Sequence, residues 1–247
     1  MKPTDEQASA WTEAFDSGKF VRKSSEFRDS ISKGGAFDVE SGRYHLYISH
    51  ACPWAHRTLI MRTLLGLEDH ISVDVVDWRM NADGSWSFNP DEEGATADRV
   101  NGESSLEGIY NRAFEGWNES RSIGTVPVLW DKKHATIVNN ESREIIRMFD
   151  QFSKEGFGNG TTLCPPELMQ EIDNMIDANY ESVNNGVYKS GFARTQEAYD
   201  EAVTALFQRL DQLEAHLDGR EWLVGEGKGR LTEADICLFT TLVRFDL

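Results

Sequence analysis

The chain has 247 residues, 39% hydrophobic and 11% aromatic, enough apolar material for two modest domains with a core in each. Acidic residues outnumber basic ones 42 to 25, a formal charge of −17 that repels nucleic-acid phosphates and anionic membranes and favours solubility. No apolar run approaches the roughly 20 residues that span a bilayer, the opening segment lacks the apolar centre of a secretory signal, and three cysteines cannot build a disulfide framework, so a reducing, cytoplasmic compartment is expected.

Residues 1–43 read as an extended lead-in with short helical or looped pieces, turn-rich at "SISKGGAFDVESGR" (30–43). In "YHLYIS" (44–49), Tyr44, Leu46 and Ile48 alternate with His45, Tyr47 and Ser49, the period of a strand. After Pro53, "WAHRTLIMRTLLGL" predicts a helix that carries Trp54, Leu59, Met61, Leu64 and Leu65 and ends near Gly66. "ISVDVVDW" (71–78) predicts a second strand with Ile71, Val73 and Val75 on one face, completing a βαβ unit. The polar stretch 79–104 predicts a long loop, and 106–117 suits a helix. "VPVLWDKKHATIV" (126–138) predicts a hairpin with a charged turn at Asp131–Lys133. "NNESREIIRMFD" (139–150) predicts a helix with Ile145, Ile146 and Phe149 facing inward.

From about residue 151 the strand pattern stops. A proline pair opens 165–183, where Leu168, Ile172, Met175, Ile176 and Val183 form one stripe. Tyr199, Val203, Leu206, Leu210, Leu213 and Leu217 repeat that spacing over 197–217. Thr232 and Asp235 make a capping pair ahead of Ile236, Phe239 and Val243. These patterns divide the chain into a lead-in (1–43), an α/β domain (44–150) and an all-α domain (151–247).

Cys52 falls between the first strand and its helix, where unpaired N–H groups stabilise a thiolate. Cysteines so placed drop from about 8.5 to roughly 3.5–7.5 in pKa. Pro53 suits the first helical turn, and His56 and Arg57 follow about one turn later. A second cysteine of a CxxC pair is absent, since Ala55 holds that position, so a redox cycle would borrow its second thiol from glutathione. A buried structural thiol is the bland alternative. Cys237 lies in an apolar helical stripe and reads as core, Cys164 precedes Pro165 in a loop, and no side-chain set has metal-ligand spacing.

At "YHLYISHACPWAHRTLIMRTLLGL", "GTVPVLWDKKHATIVNNESREIIRMF", "VNNGVYKSGFA" and "LTEADICLFTTLVRFD", the chain resembles the glutathionyl-hydroquinone reductases, the Xi class of glutathione transferases. The resemblance implies an α/β thioredoxin-like N-terminal domain and an all-α C-terminal domain, in a homodimer with no metal. It makes Val126–Pro127 a cis-proline turn whose backbone pairs with the cysteinyl part of glutathione, with Thr125 in the same turn. Glu141 and Ser142 then hold the γ-glutamyl end, and Trp86 packs on glutathione from the long loop. Where the family has an arginine four residues before the proline this chain has Ile123, with Arg121 the nearby cation. Family chains also continue past "VRFD", so the helical domain is expected to be incomplete at Leu247.

The implied reaction has Cys52 attack the sulfur of a glutathionylated hydroquinone bound between the domains, with Tyr188 moving a proton near the ring. A second glutathione would release the mixed disulfide. Two rivals stay open. One is omega-like thiol transfer or dehydroascorbate reduction through the same Cys52, the other a non-catalytic binding module.

Overall fold

A computed structural model describes residues 15–81, 84–117 and 124–245. Arg121 and Ile123 lie outside the described residues. The chain divides into two compact units: Ser25–Thr161, and the described parts of Thr12–Ser24 and Thr162–Leu247.

The second unit begins with a hairpin, β1 (Phe15–Asp16) against β2 (Lys19–Phe20). Ser17 and Gly18 turn it at φ 50° and 83°. Gly18 is required for a further reason, since a Cβ there would lie 2.7 Å from Thr195 Cγ2.

In the first unit the chain runs β3 (Tyr44–Ile48), α1 (Pro53–Leu64), β4 (Ile71–Val75), α2 (Leu106–Ala113), β5 (Val128–Asp131), β6 (Thr136–Asn139) and α3 (Ser142–Lys154). The sheet order is β4-β3-β5-β6, with β3 parallel to β4 and antiparallel to β5. Helix α1 packs on β3 and on α3, and α2 packs on β6. Strand β3 is therefore internal, and all five of its residues are buried. The alternation in 44–49 marks a strand but not a wet face. His45 and Tyr47 are polar and inside: His45 Nε2 lies 3.2 Å from Asp74 Oδ2, and Tyr47 donates to Asp98 at 2.9 Å.

Helix α1 ends as expected, with Gly66 at φ 68° beyond it. Its buried face differs from the expected stripe. Ala55, Arg57, Thr58 and Met61 face in, whereas Leu64 is 39% exposed. On α3, Ile145, Ile146 and Phe149 are buried as the pattern predicts.

The charged turn of the 126–138 hairpin also needs correction at one end. Asp131 closes β5 fully buried, receiving a forked pair of bonds from Arg43 at 2.9 and 2.5 Å. Arg43 also donates to the Ala36 carbonyl at 2.9 Å and lies 5.2 Å from the Tyr44 ring centre. A residue 88 positions away thus turns a surface aspartate into a core anchor.

In the second unit α4 (Met169–Asn179) runs through a π turn, Tyr180–Asn184, into α5 (Gly186–Gly191), followed by α6 (Gln196–His216) and α7 (Glu233–Leu242). Ile172, Ile176 and Val183 are buried. The capping box of α7 forms, with the Thr232 N–H bonded to Asp235 Oδ2 at 2.8 Å. Buried Asn184 donates to the Cys237 carbonyl and the Thr241 hydroxyl at 2.9 and 2.8 Å, which turns Ile236, Cys237, Thr240 and Thr241 inward. Phe239 and Val243 consequently stay half-exposed, at 50% and 45%, against expectation, and so does Tyr199 at 44%. No helix among the described residues is long and apolar enough to cross a membrane.

Burial acts to raise the Asp131 carboxyl, yet bonds from Arg43 and the Lys133 N–H outweigh it and hold the group below its ordinary value. Its stabilisation is complete above the unfolded value near pH ~3.9 and fades as pH falls through the lower folded value. Arg43→Met, which strands the buried carboxylate, should cost about 3–5 kcal/mol in urea unfolding at pH 7. A loss below about 1 kcal/mol, the range of exposed pairs, would show the pair to be dispensable.

Candidate active site

Cys52 is the N-cap of α1, with extended backbone (φ −86°, ψ 117°) and Pro53 in the first turn. Its N–H donates to the Ser49 carbonyl at 3.1 Å, and its carbonyl accepts from His56 N–H at 3.0 Å. The side chain is half-buried, and Sγ donates to the Val126 carbonyl at 3.5 Å. Strand pairing causes this meeting. The register Tyr47↔Val128 sets the end of β3 beside the start of β5, so a residue just past one strand meets a residue just before the other. The Val126–Pro127 peptide is cis. Cys164 and Cys237 are buried, and no cysteine is in a disulfide.

The turn that carries Val126 is held from below. The Thr125 carbonyl accepts from the Tyr110 hydroxyl at 2.8 Å, and the Thr125 N–H donates to the same oxygen at 3.2 Å. Asn140 Nδ2 donates to that hydroxyl as well, at 3.1 Å. Thr125 and Val126 are thereby tied to the start of α3.

Glu141 is the N-cap of α3, accepting from Arg143 N–H at 3.2 Å and from the Ser25 hydroxyl at 3.1 Å. Glutamate is an uncommon cap. Ser142, the first helical residue, is buried, and its hydroxyl receives Arg57 at 3.3 Å. Arg57 is itself buried and lies 4.3 Å from the Trp54 ring centre. A cation, a hydroxyl and a helix N-terminus converge here with one carboxylate, a set matched to a zwitterion.

Trp86 is half-buried in the 79–104 loop. Among the described residues no hydrogen bond joins its indole to Cys52, Val126, Glu141 or Ser142. Its backbone is bracketed: Leu106 N–H donates to the Trp86 carbonyl at 2.8 Å, Asp77 N–H to Ser87 at 2.8 Å, and Phe88 N–H to Ser104 at 2.9 Å. Asp98 fixes the far side of this loop. It accepts from Tyr47 and from the N–H groups of Val100, Asn101 and Glu103, at 2.9–3.1 Å.

Tyr188 belongs to the second unit, on α5. Its ring lies 6.2 Å from Phe20 and 6.0 Å from Phe192, with the Arg22 guanidinium 4.4 Å from its centre. Arg22 also bonds Asn185 at 2.9 Å. A cavity of about 370 Å³ in this unit is lined by Phe20, Arg22, Tyr180 and Ala202, among others, but not by Tyr188. Among the described residues no cluster of three or more His, Cys, Asp or Glu could hold a metal ion.

Residues 51–151 match the glutathione S-transferase N-terminal domain and residues 196–247 the C-terminal domain. The glutathionyl-hydroquinone reductase PcpF of Sphingobium chlorophenolicum is 49% identical over 96% of this chain and 73% of its own length. The chain belongs to the Xi class of glutathione transferases. The crystal structure of the Xi transferase from Phanerochaete chrysosporium superposes with a TM-score of 0.85 at 48% identity, covering 92% of this chain and 75% of that one. The glutathione-bound structure of YqjG from Escherichia coli superposes at 0.82 with 47% identity, covering 90% and 72%.

This Xi-class chain is thus an enzyme of the glutathione transferase superfamily, with a thioredoxin-like domain and a helical one. Arg57 was marked as a cation about one turn past Cys52, and its guanidinium bonds the Ser142 hydroxyl. Two supporting residues escaped the sequence reading: Tyr110 lay unmarked in the 106–117 helix and Asp98 in the 79–104 loop. Only the apolar spacing around Tyr110 gave any signal, and it marked burial rather than the hydroxyl. Asp98→Ala should strip four donors of their acceptor and cost at least about 2 kcal/mol in urea unfolding. It should also speed amide exchange at Val100, Asn101 and Glu103, and protection equal to wild type would show the loop is held elsewhere.

Proposed function

We propose that the chain removes glutathione reductively from glutathionyl-hydroquinones through a Cys52–glutathione mixed disulfide. One observation carries this most directly: Cys52 sits at the α1 N-terminus with Sγ 3.5 Å from the Val126 carbonyl, an acceptor suited to an extended peptide. The named activity of PcpF and the glutathione bound by YqjG support the same reading.

Glutathione would pair its cysteinyl backbone with Val126 and set its γ-glutamyl carboxylate on Ser142 and the first N–H groups of α3. Glu141 would face its ammonium, and Trp86 would cover the peptide from the loop. Binding then takes over the carbonyl to which the thiol now donates. That removes a bond favouring the neutral thiol, while the helix end favours the anion.

The Cys52 thiolate attacks the glutathionyl sulfur, forming the S–S bond as the sulfur–aryl carbon bond breaks. The electron pair leaves with carbon. Carbon is a poor leaving group unless the ring is in a keto form, where the departing charge is an enolate. Tyr188 supplies the proton that completes the hydroquinone. A second glutathione thiolate then attacks the glutathionyl sulfur of the mixed disulfide, returning Cys52 as thiolate and releasing oxidised glutathione. Over the cycle the substrate's thioether sulfur and one glutathione thiol become a disulfide while the ring carbon exchanges its sulfur for hydrogen and is reduced, so the electrons balance.

Mass spectrometry after mixing reduced protein with glutathionyl-hydroquinone should show one glutathione on Cys52 and one hydroquinone released. Cys52→Ser should abolish the adduct and cut turnover at least about a thousandfold. An adduct formed only from oxidised glutathione would replace this reading with thiol transfer, and none at all would make the chain a binding module. Tyr188→Phe should slow hydroquinone release by about 10²–10⁴-fold and leave adduct formation from oxidised glutathione unchanged. Equal slowing of both would deny Tyr188 its role at the ring.

A further inference from the structure

We propose that Tyr110 is a positioning residue whose hydroxyl sets the distance between the Val126 backbone and the Glu141–Ser142 helix start. This rests on reading those two segments as the glutathione site. Tyr110 is fully buried on α2, with its ring 4.6 Å from Trp117 and 5.7 Å from Phe27. A phenol offers one donor and two acceptor positions, and all three are in use here: toward the Thr125 carbonyl, from Thr125 N–H and from Asn140 Nδ2. Thr125 immediately precedes Val126, and Asn140 immediately precedes Glu141. One buried oxygen therefore joins the two places where a bound peptide would be held.

The far anchor is itself fixed. Asn140 N–H donates to the Phe27 carbonyl at 3.1 Å, and Phe27 N–H returns a bond to Asn140 Oδ1 at 3.2 Å. The near anchor is fixed by contact. Gly124 crosses the Tyr110 ring so closely that a Cβ would lie 3.1 and 3.2 Å from two ring carbons. Burial raises the phenol above its ordinary value, so the donor is present throughout the neutral range.

A ligand that spans both segments feels their separation, whereas one touching a single segment does not. The test compares wild type with Tyr110→Phe in the full chain, by calorimetry with three probes. S-methylglutathione spans both segments, γ-glutamyl methylamide reaches only the helix start, and N-acetyl-S-methylcysteine methylamide reaches only Val126. Tyr110→Phe should weaken S-methylglutathione about tenfold and each half-probe by no more than about twofold. Turnover should follow with a raised KM for glutathione and kcat within about threefold.

Equal loss across all three probes, or none for S-methylglutathione, would overturn the positioning role. If wild type itself fails to bind S-methylglutathione, the site assignment falls first. Should Tyr110→Phe not fold, Gly124→Ala displaces the ring with its hydroxyl intact and must give the same unequal pattern.

Discussion

A thiol and a backbone carbonyl 3.5 Å apart meet at one end of the first unit's sheet, and strand register puts them there. Because Tyr47 pairs with Val128, the chain leaves β3 toward Cys52 directly beside the chain that enters β5 from Val126. Pro53 starts the helix without wasting an N–H group, so Cys52 becomes its cap. Two influences then act on one sulfur. The helix N-terminus favours the anion by about 0.3–1 kcal/mol, more where partly buried, and the carbonyl favours the thiol. A peptide strand that claimed the carbonyl would shift the balance toward the thiolate, which is what the proposed reaction requires.

Around that point, buried polar groups do what apolar packing alone cannot: they fix loops. Asp98 gathers Tyr47 and three N–H groups, and Asp74 receives Thr96 and Arg99 while facing His45. Asp131 holds Arg43, and Tyr110 holds Thr125 and Asn140. Each replaces a hydration shell with oriented donors or a cation, so each is tolerable only while its partners stay in place. An excess of 42 acidic over 25 basic residues therefore does more than keep the surface wet, because part of it is structural and interior.

Element positions were legible from residue order. The strand at 44–48, the helix after Pro53 and the capping box at Thr232–Asp235 follow from alternation, a missing N–H and side-chain reach, all local effects. Burial was less legible. The alternation of His45 and Tyr47 with their apolar neighbours marks a strand without saying which faces are covered, because nothing local reveals that β3 is internal, and Asp131 read as a turn residue because Arg43 is 88 positions away. Phe239 and Val243 read as core because Asn184, which turns α7, is far away in sequence. The site divides in the same way. The cap position of Cys52 and the helix start at Glu141–Ser142 came from short motifs, whereas the bonds of Tyr110 to Thr125 and Asn140 span 15 and 30 positions.

The most direct measurement is the rate of Cys52 alkylation against pH, located by mass spectrometry, with and without S-methylglutathione. Reactivity should persist to a pH well below the value of about 8.5 at which free cysteine ionises, and the peptide should move the midpoint lower still. A midpoint at the free-cysteine value, unmoved by the peptide, would contradict a cap-stabilised thiolate that glutathione binding sets free.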